Sequence, residues 1–331
     1  MDIIENKYFE QLKTFIENHN FFLIAGHKDP DGDCIASNMG IAAIVEHFGK
    51  EYQLLSAGPF KRNEIAKFQK KYTNKIAFLD ESDRKKTGLI ITDCSEIQRL
   101  GEIDGDLTGL DTFIIDHHKT AGLPENAEGY INADAPACAY LVQLFYENIV
   151  GPVPEKIAKI LFFGIGTDTG YFRFLTSDKK ESIDLFMAAA RLVSYGANPR
   201  LIYNEINYGK PYSTRKLLGI LLDKAETYHN GKLIVTYETM EDTKNHGIEG
   251  RDSDALYSLL LSVKDVEAVA FIRQDTPTTC TAGLRSIDRV DVSAVAAKFG
   301  GGGHKNASGL STDGVLDKLI PEIVKEFGKV L

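Results

Sequence analysis

Residues 112–118 read Thr-Phe-Ile-Ile-Asp-His-His, an apolar run that ends in one carboxylate and two imidazoles. Two other apolar runs end similarly: residues 21–26 lead into His27-Lys28-Asp29-Pro30-Asp31-Gly32-Asp33, and residues 88–92 lead into Asp93. Such runs, separated by helical patterns, predict the strands of a parallel α/β sheet. Ligands bind at the carboxyl ends of parallel strands. Because the gathered carboxylates need a cation among them, the pattern indicates a metal-dependent hydrolase.

The bulk composition narrows the class of protein. The chain has 331 residues, 43% hydrophobic and 26% charged, so two globular domains are expected. No apolar stretch approaches the length of a transmembrane helix, and the N-terminus lacks a signal-peptide pattern, so we expect a cytoplasmic protein without a membrane partner. The four cysteines form no Cys-x-x-Cys pair, which predicts free thiols. The net charge of −9 argues against a broad nucleic-acid-coating surface but is compatible with a small anionic substrate.

The order of apolar patterns predicts three regions. An amphipathic helix over residues 2–19 and strands near 21–26, 51–56, 88–92 and 112–116 come first, followed by mostly helical sequence to about residue 195. Asn230-Gly231 between apolar residues predicts a hairpin, and further strands are expected near 266–273 and 279–285. The prediction is a parallel-sheet domain over 1–195, a helical linker over 196–224 and a smaller mixed α/β domain over 225–331.

The acidic and histidine clusters each have a structural alternative. A carboxylate after a strand or helix can serve as a helix cap or turn former rather than as a ligand. The residues concerned are Asp31, Asp33, Asp93 and Asp168. His117 and His118 can form a hydrogen-bonded structural pair. Since adjacent side chains point in different directions, one imidazole can instead bind a metal while the other faces substrate.

A glycine run near the end of the chain, Gly300-Gly301-Gly302-Gly303-His304, is a second candidate region. Consecutive glycines allow positive φ and close backbone approach, and their N–H groups can bind an anion. The alternative is a flexible linker. Upstream, Arg285-Ser286 ends a predicted strand with a cation and a hydroxyl, which can join the glycine run as an anion clamp.

In this order the motifs resemble the DHH/DHHA1 phosphoesterase superfamily, and within it the NrnA-type branch of oligoribonucleases (nanoRNases). The motifs are His-x3-Asp-x-Asp, a strand-end Asp, Asp-His-His, Thr-Asp-Thr-Gly, Arg-Ser and Gly-Gly-Gly-Gly-His, and together they span nearly the whole chain. The resemblance implies an N-terminal DHH domain and a C-terminal DHHA1 domain, with the active site in the cleft between them. It also implies hydrolysis of short RNA and removal of the 3′-phosphate of pAp.

The resemblance further implies a centre of two divalent ions, with Mn²⁺ expected and Mg²⁺ as the alternative. One ion would be bound by His27, Asp31 and Asp93, and the other by Asp33, Asp93, His117 and Asp168. His118 would contact the phosphoryl oxygen or assist proton transfer, and Asp116 would orient a neighbouring imidazole. The substrate-binding residues would be Arg285, Ser286, Gly301, Gly302, Gly303 and His304.

Several readings of the activity stay open at this point. One alternative is a phosphodiesterase of linear or cyclic di-adenylate (pApA or c-di-AMP), and another is a catalytically silent nucleotide-binding sensor. An inorganic pyrophosphatase would share the ligands of the first domain, but the glycine run favours a nucleotide-binding second domain. Residues 137–140, Ala-Cys-Ala-Tyr, depart from relatives that often carry hydroxyl residues and a glutamate there. This leaves the fine substrate preference open, and a homodimer is compatible with the sequence.

Overall fold

A computed structural model describes residues 4–76, 80–118, 121–177, 179–248, 250–287 and 289–331. The chain forms two compact units, Met1–Tyr208 and Gly209–Leu331, so the division falls inside the predicted linker. Asp2 and Ile3, which open the predicted first helix, lie outside the described residues. Within the described parts of the chain, none of the helices combines the length and apolar content that a membrane-spanning helix requires.

The first unit is an α/β structure built around one parallel sheet. Its elements are α1 (Asn6–Asn18), β1 (Phe21–Ala25), α2 (Gly32–His47), β2 (Glu51–Leu55), α3 (Asn63–Ala66), α4 (Glu81–Arg84), β3 (Thr87–Thr92), β4 (Asp111–Asp116), β5 (Ala127–Ile131), α5 (Cys138–Ile149), α6 (Glu155–Asp168), α7 (Lys180–Ser194) and α8 (Pro199–Asn207). The strand order is β2-β1-β3-β4-β5, and all neighbouring strands are parallel. The predicted parallel sheet is therefore confirmed.

The central strands are buried on both faces, which explains their continuous apolar sequences. All six residues of β3 are buried. Alternate residues of the sheet belong to two separate apolar clusters: Ile24 and Ile90 to one, Leu23 and Leu89 to the other. The sequence prediction missed β5, because its residues, Ala-Glu-Gly-Tyr-Ile, form an edge strand with little apolar content.

The strand order places the predicted ligands at one crevice. β2 and β3 lie on opposite sides of β1, so the direction of winding reverses next to β1. Such a reversal opens a crevice at the carboxyl ends of the strands. His27 follows β1 by two residues, Asp93 follows β3 directly, and Asp116 is the last residue of β4.

The second unit contains a mixed six-stranded sheet. Its elements are α9 (Tyr212–Asp223), β6 (Glu226–Tyr228), β7 (Leu233–Glu238), α10 (Met240–His246), α11 (Ser253–Leu261), β8 (Ala268–Thr276), β9 (Thr279–Ser286), α12 (Val292–Ala297), β10 (Gly302–His304), β11 (Ala307–Asp313) and α13 (Leu316–Phe327). The strand order is β10-β11-β9-β8-β7-β6, in which only the β7–β8 pair is parallel among the described strands. The hairpin predicted at Asn230-Gly231 joins β6 to β7.

The glycine run, predicted to bind an anion or to be a flexible linker, belongs in part to regular structure. The N–H groups of Gly300 and Gly301 donate to the carbonyls of Ala297 and Ala296, and so close the end of α12. Gly302–His304 then forms β10, which pairs with β11 at the edge of the sheet. A Cβ on Gly301 would lie 2.3 Å from the carbonyl oxygen of Gly309. Glycine is thus required there by close strand packing, and the first N–H groups of the run are already used.

Candidate metal centre

Three groups of metal-ligating atoms meet at the carboxyl edge of the first sheet. They are His27, Cys34 and Asp93; Asp93, His117 and His118; and Asp33, His117 and Asp168. Within each group the ligand atoms lie within 4.8 Å of one another. Because Asp93 and His117 each belong to two groups, the three groups form one continuous centre.

Asp93 lies between two imidazoles and faces each with a different oxygen. Its Oδ2 is 3.4 Å from His27 Nε2, and its Oδ1 is 3.3 Å from His117 Nε2. Asp93 is only 2% exposed, and its Oδ1 makes no hydrogen bond to the described residues. Its φ of 62° lies in the left-handed region, which non-glycine residues seldom adopt outside constrained sites. The strained backbone therefore directs a buried carboxylate between the two halves of the centre.

Backbone carbonyls set the orientation of the partly buried imidazoles of His27 and His117. His117 Nδ1 is 3.0 Å from the Ala135 carbonyl oxygen, and His27 Nδ1 is 2.8 Å from that of Lys28. A carbonyl only accepts, so Nδ1 carries the hydrogen in each ring. In a neutral ring the Nε2 lone pair then points at carboxylate oxygens, and the lone pairs repel. A proton or a metal cation between Nε2 and the carboxylate removes this repulsion, so the donor set fits a bound metal.

Asp33 connects the centre to a helix far along the chain. Its Oδ2 accepts the N–H of Cys138 at 2.6 Å, and its Oδ1 accepts the N–H of Ala139 at 2.8 Å. These are the first residues of α5, whose N-terminus favours a negative charge. Residues 137–140, whose side chains differ from those of many relatives, thus contact the site through backbone N–H groups. These contacts do not depend on side-chain identity. The same Oδ2 lies 3.7 Å from His117 Nε2.

The protonation of the centre's own side chains follows from burial and from the number of carboxylates. Burial raises the pKa of Asp33 well above its ordinary range, and the charges of Asp93 and Asp168 add to this effect. Burial raises the pKa of Asp168 to about 6, although His117 opposes the shift. Burial disfavours the charged imidazoles, but the neighbouring carboxylates outweigh it and raise the pKa of both His27 and His117 to about 10. Metal uptake at neutral pH therefore releases protons and strengthens as the pH rises.

Asp31 has a structural role in addition to its predicted one. Its Oδ1 accepts the N–H groups of Asp33 at 3.1 Å and Cys34 at 3.0 Å, and so caps α2. The same oxygen is 3.9 Å from His27 Nε2, and the imidazole outweighs burial to lower the pKa of Asp31 to about 2. Cys34, which the sequence analysis did not assign as a ligand, joins His27 and Asp93 in one of the three ligand groups.

Asp116 orients His118 rather than His117. Its Oδ1 lies 2.7 Å from His118 Nδ1 and also accepts the N–H groups of both histidines. The His118 side chain is 35% exposed and that of His117 is 14% exposed. The two imidazoles therefore have separate environments: His117 faces the carboxylates, and His118 is more open to solvent.

In the second unit, sheet register places two predicted substrate-binding residues on one face. His304 pairs with Ala307, and Ala307 pairs with Arg285 on its other side. Residues paired across strands share a face of the sheet. The Arg285 guanidinium carbon lies 4.7 Å from the ring centroid of Tyr257, a contact that no sequence motif indicated.

Ser286 is a correction to the predicted substrate site. Side chains alternate along a strand, so Ser286 points to the opposite face from Arg285. Its hydroxyl donates to the Val290 carbonyl at 2.6 Å, and the residue is 8% exposed. Ser286 therefore stabilises the turn after β9 and does not stand beside Arg285.

Comparison with known proteins follows the same division of the chain. Residues 22–165 match the N-terminal domain of the DHH family, and residues 200–331 match the DHHA1 domain. The chain belongs to the DHH/DHHA1 phosphoesterase superfamily. DHH phosphoesterases are metal-dependent enzymes, in agreement with the donor set described above.

Two curated proteins and one solved structure are similar to this chain over most of its length. The bifunctional oligoribonuclease and PAP phosphatase NrnA of Thermus thermophilus is 27% identical, covering 97% of this chain and 94% of that protein. The cyclic-di-AMP phosphodiesterase PdeA of Listeria monocytogenes is 26% identical, but only 45% of its length is covered, against 89% of this chain. The crystal structure of an exopolyphosphatase-related protein from Bacteroides fragilis has a TM-score of 0.82 at 21% identity, covering 99% of this chain and 98% of that one.

Proposed function

We propose that this DHH/DHHA1 protein is a two-metal phosphoesterase that hydrolyses short oligoribonucleotides to mononucleotides and removes the 3′-phosphate of pAp. The observation that carries the proposal is the position of Asp93, whose two oxygens face His27 and His117 separately. One carboxylate between two donor groups suits a pair of bridged cations. The names of the NrnA relatives, which match almost end to end, support the choice of substrates.

The proposed ligands divide around Asp93. His27, Asp31 and Asp93 would hold one ion, and Asp33, Asp93, His117 and Asp168 the other. Oxygen and imidazole donors favour Mn²⁺, with Mg²⁺ as the alternative. Ions held by these residues would supply a bound water molecule of lowered pKa and positive charge beside the phosphoryl group.

The protein's own contribution to the chemistry is proton transfer and orientation. Asp116 accepts the Nδ1–H of His118, which leaves His118 Nε2 to hold or move a proton at the phosphoryl group. The backbone N–H groups of α5 hold Asp33 in place without using a side chain that substrate could displace.

We further propose that Arg285 and His304 bind the part of the substrate remote from the reacting phosphate. Both lie on one face of the second sheet, in the same register row. The contact with Tyr257 holds the Arg285 guanidinium in place, and guanidinium groups bind phosphate through paired N–H donors. Such contacts add binding energy without taking part in bond cleavage.

Replacing Arg285 by alanine should therefore weaken nucleotide binding by about 1.5–3 kcal/mol, the scale of a charge-assisted hydrogen bond. Hydrolysis of bis-p-nitrophenyl phosphate should stay near the wild-type rate, because that ester has no remote phosphate. The matched control is Arg273→Ala, since Arg273 lies on the neighbouring strand and is paired with Asp275. Equal losses on both substrates would show that Arg285 acts in the chemical step or in folding.

The proposed substrate range predicts a steep dependence on RNA length. Long single strands bind along extended cationic channels. The net charge of this protein is −9, which does not favour such a channel. Turnover per molecule with Mn²⁺ should be highest for RNAs of two to about five nucleotides and fall sharply toward about twenty-four. Removing the 5′-phosphate should lower kcat/KM for the short RNAs. Efficient processive degradation of the longest RNAs would contradict the proposal and favour a general exonuclease.

A second candidate function is hydrolysis of di-adenylate signals, which the name of the Listeria relative favours. Rates on pAp, pApA and cyclic di-AMP, measured in parallel, separate the two functions. A preference for cyclic di-AMP would replace the proposed function. A silent sensor is disfavoured, because this chain carries all six expected metal ligands and His118.

A further inference from the structure

The turn that follows Asp168 is held in an unusual backbone conformation. Gly170, Tyr171 and Phe172 have φ values of 56°, 57° and 70°, so three consecutive residues lie in the left-handed region. Bulky aromatic residues seldom adopt it, and such strain persists mainly at functional sites. Asp168 ends α6 and belongs to the metal centre, so the strained turn begins where the proposed chemistry takes place.

Aromatic contacts fix this turn in position. The Tyr171 hydroxyl donates to the Pro199 carbonyl, and its ring packs against Tyr203 with centroids 5.0 Å apart. Phe172 stacks on Phe186 with centroids 5.4 Å apart and ring planes 24° apart. The neighbouring α7 and α8 thus maintain the strained conformation.

The last side chain of the turn is an exposed aromatic ring. Phe174 is 68% exposed, although its backbone N–H donates to the Thr169 carbonyl at 3.2 Å. A Cβ on Gly170 would lie 2.5 Å from the Phe174 ring, so this ring rests directly on the Gly170 backbone. The Arg173 guanidinium carbon is 5.8 Å from the ring centroid. The turn therefore presents an aromatic face and a cation within a few residues of a metal-centre carboxylate.

We propose that Phe174 is the platform on which the base of the reacting nucleotide stacks. The inference rests on the proposed function, since it requires a nucleotide at the metal centre. An aromatic ring beside a cation suits a base and its attached phosphate, and stacking accepts any base because every base has a π-face. Phe174 is thus a positioning residue, and Gly170 is required because any larger residue would displace the ring.

The test is a thermodynamic cycle between the base and the ring. Wild-type protein and Phe174→Leu are assayed on pAp and on 1,4-anhydroribitol 3,5-bisphosphate, which is the same ribose bisphosphate without the base. Removing the base should lower kcat/KM of the wild type about 10- to 100-fold, the scale of one stacked base. In Phe174→Leu the same removal should change kcat/KM less than about threefold, because the interaction is already lost. Phe174→Trp should restore the wild-type dependence.

A binding measurement gives a second readout that does not depend on turnover. The fluorescence of 2-aminopurine riboside monophosphate should be quenched by wild-type protein with Mg²⁺ and should not be quenched by Phe174→Leu. Tyr52→Leu is the control, because Tyr52 is also an exposed aromatic residue (37%). It lies near the amino end of β2, at the edge of the sheet opposite the metal centre. The inference would be overturned if base removal lowered kcat/KM equally in the wild type and in Phe174→Leu, and if Phe174→Leu quenched the fluorescence as much as the wild type does. If the wild type hydrolyses neither pAp nor short RNA, the proposed function itself fails.

Discussion

Asp93→Asn should lower kcat by at least roughly a thousandfold, which corresponds to about 4 kcal/mol of activation free energy. Asp93 belongs to two of the three ligand groups and faces the imidazoles of His27 and His117, so the loss of its charge should disturb both proposed ions. Asparagine tolerates a left-handed φ, so the backbone at this position should remain folded. The measurements are Mn²⁺-dependent turnover of pAp and the number of ions bound per chain.

The matched control for this substitution is Asp29→Asn. Asp29 also has a positive φ (52°), but it is exposed and paired with Lys61, outside the three ligand groups. It should keep near-normal turnover and metal content. If folded Asp93→Asn protein turns over pAp at a near-normal rate with Mn²⁺, Asp93 does not bridge the ions.

Replacing His118 by alanine should lower kcat about 10²- to 10⁴-fold, the usual contribution of a positioned proton-transfer group. His118 is held by Asp116 through a 2.7 Å contact and is the more exposed of the two adjacent imidazoles. The metal content should stay at the wild-type level, because His117, not His118, faces Asp33 and Asp168. His118 Nδ1 does lie 3.9 Å from Asp93 Oδ1, so metal content is the deciding measurement.

The control for His118→Ala is His47→Ala. His47 is the last residue of α2, whereas the proposed ligands Asp31 and Asp33 lie at the start of that helix. This control should leave turnover unchanged. Loss of one bound ion from His118→Ala would make His118 a ligand rather than a proton-transfer group. Unchanged kcat with unchanged metal content would exclude both roles.

The tertiary structure revealed roles that no local pattern could show. Asp33 contacts α5 across more than a hundred positions of sequence, and the carbonyls of Lys28 and Ala135 orient the imidazoles. A backbone group has no side-chain signature, so nothing in one sequence marks it as a functional partner. The exposure of Phe174 on a strained turn is equally invisible, because φ is set by packing from α7 and α8.

Some assignments were decided only by strand register and long-range pairing. The sequence predicted that Asp116 orients an imidazole, and the structure selects His118. Arg285 and Ser286 looked like a joint anion site, but alternation along β9 places their side chains on opposite faces. The sequence left the glycine run as an anion-binding segment or a flexible linker, yet pairing with β11 makes part of it a strand.

The sequence by itself determined the parallel sheet of the first unit and the gathering of His27, Asp93 and Asp116 at one edge of it. The reason is physical: strands buried on both faces must be continuous apolar runs, and parallel strands deliver the residues that follow them to the same edge. Only the tertiary structure decided which carboxylate faces which imidazole and which backbone groups hold them. Those contacts depend on positions of a few ångströms between distant segments, which apolar periodicity does not encode.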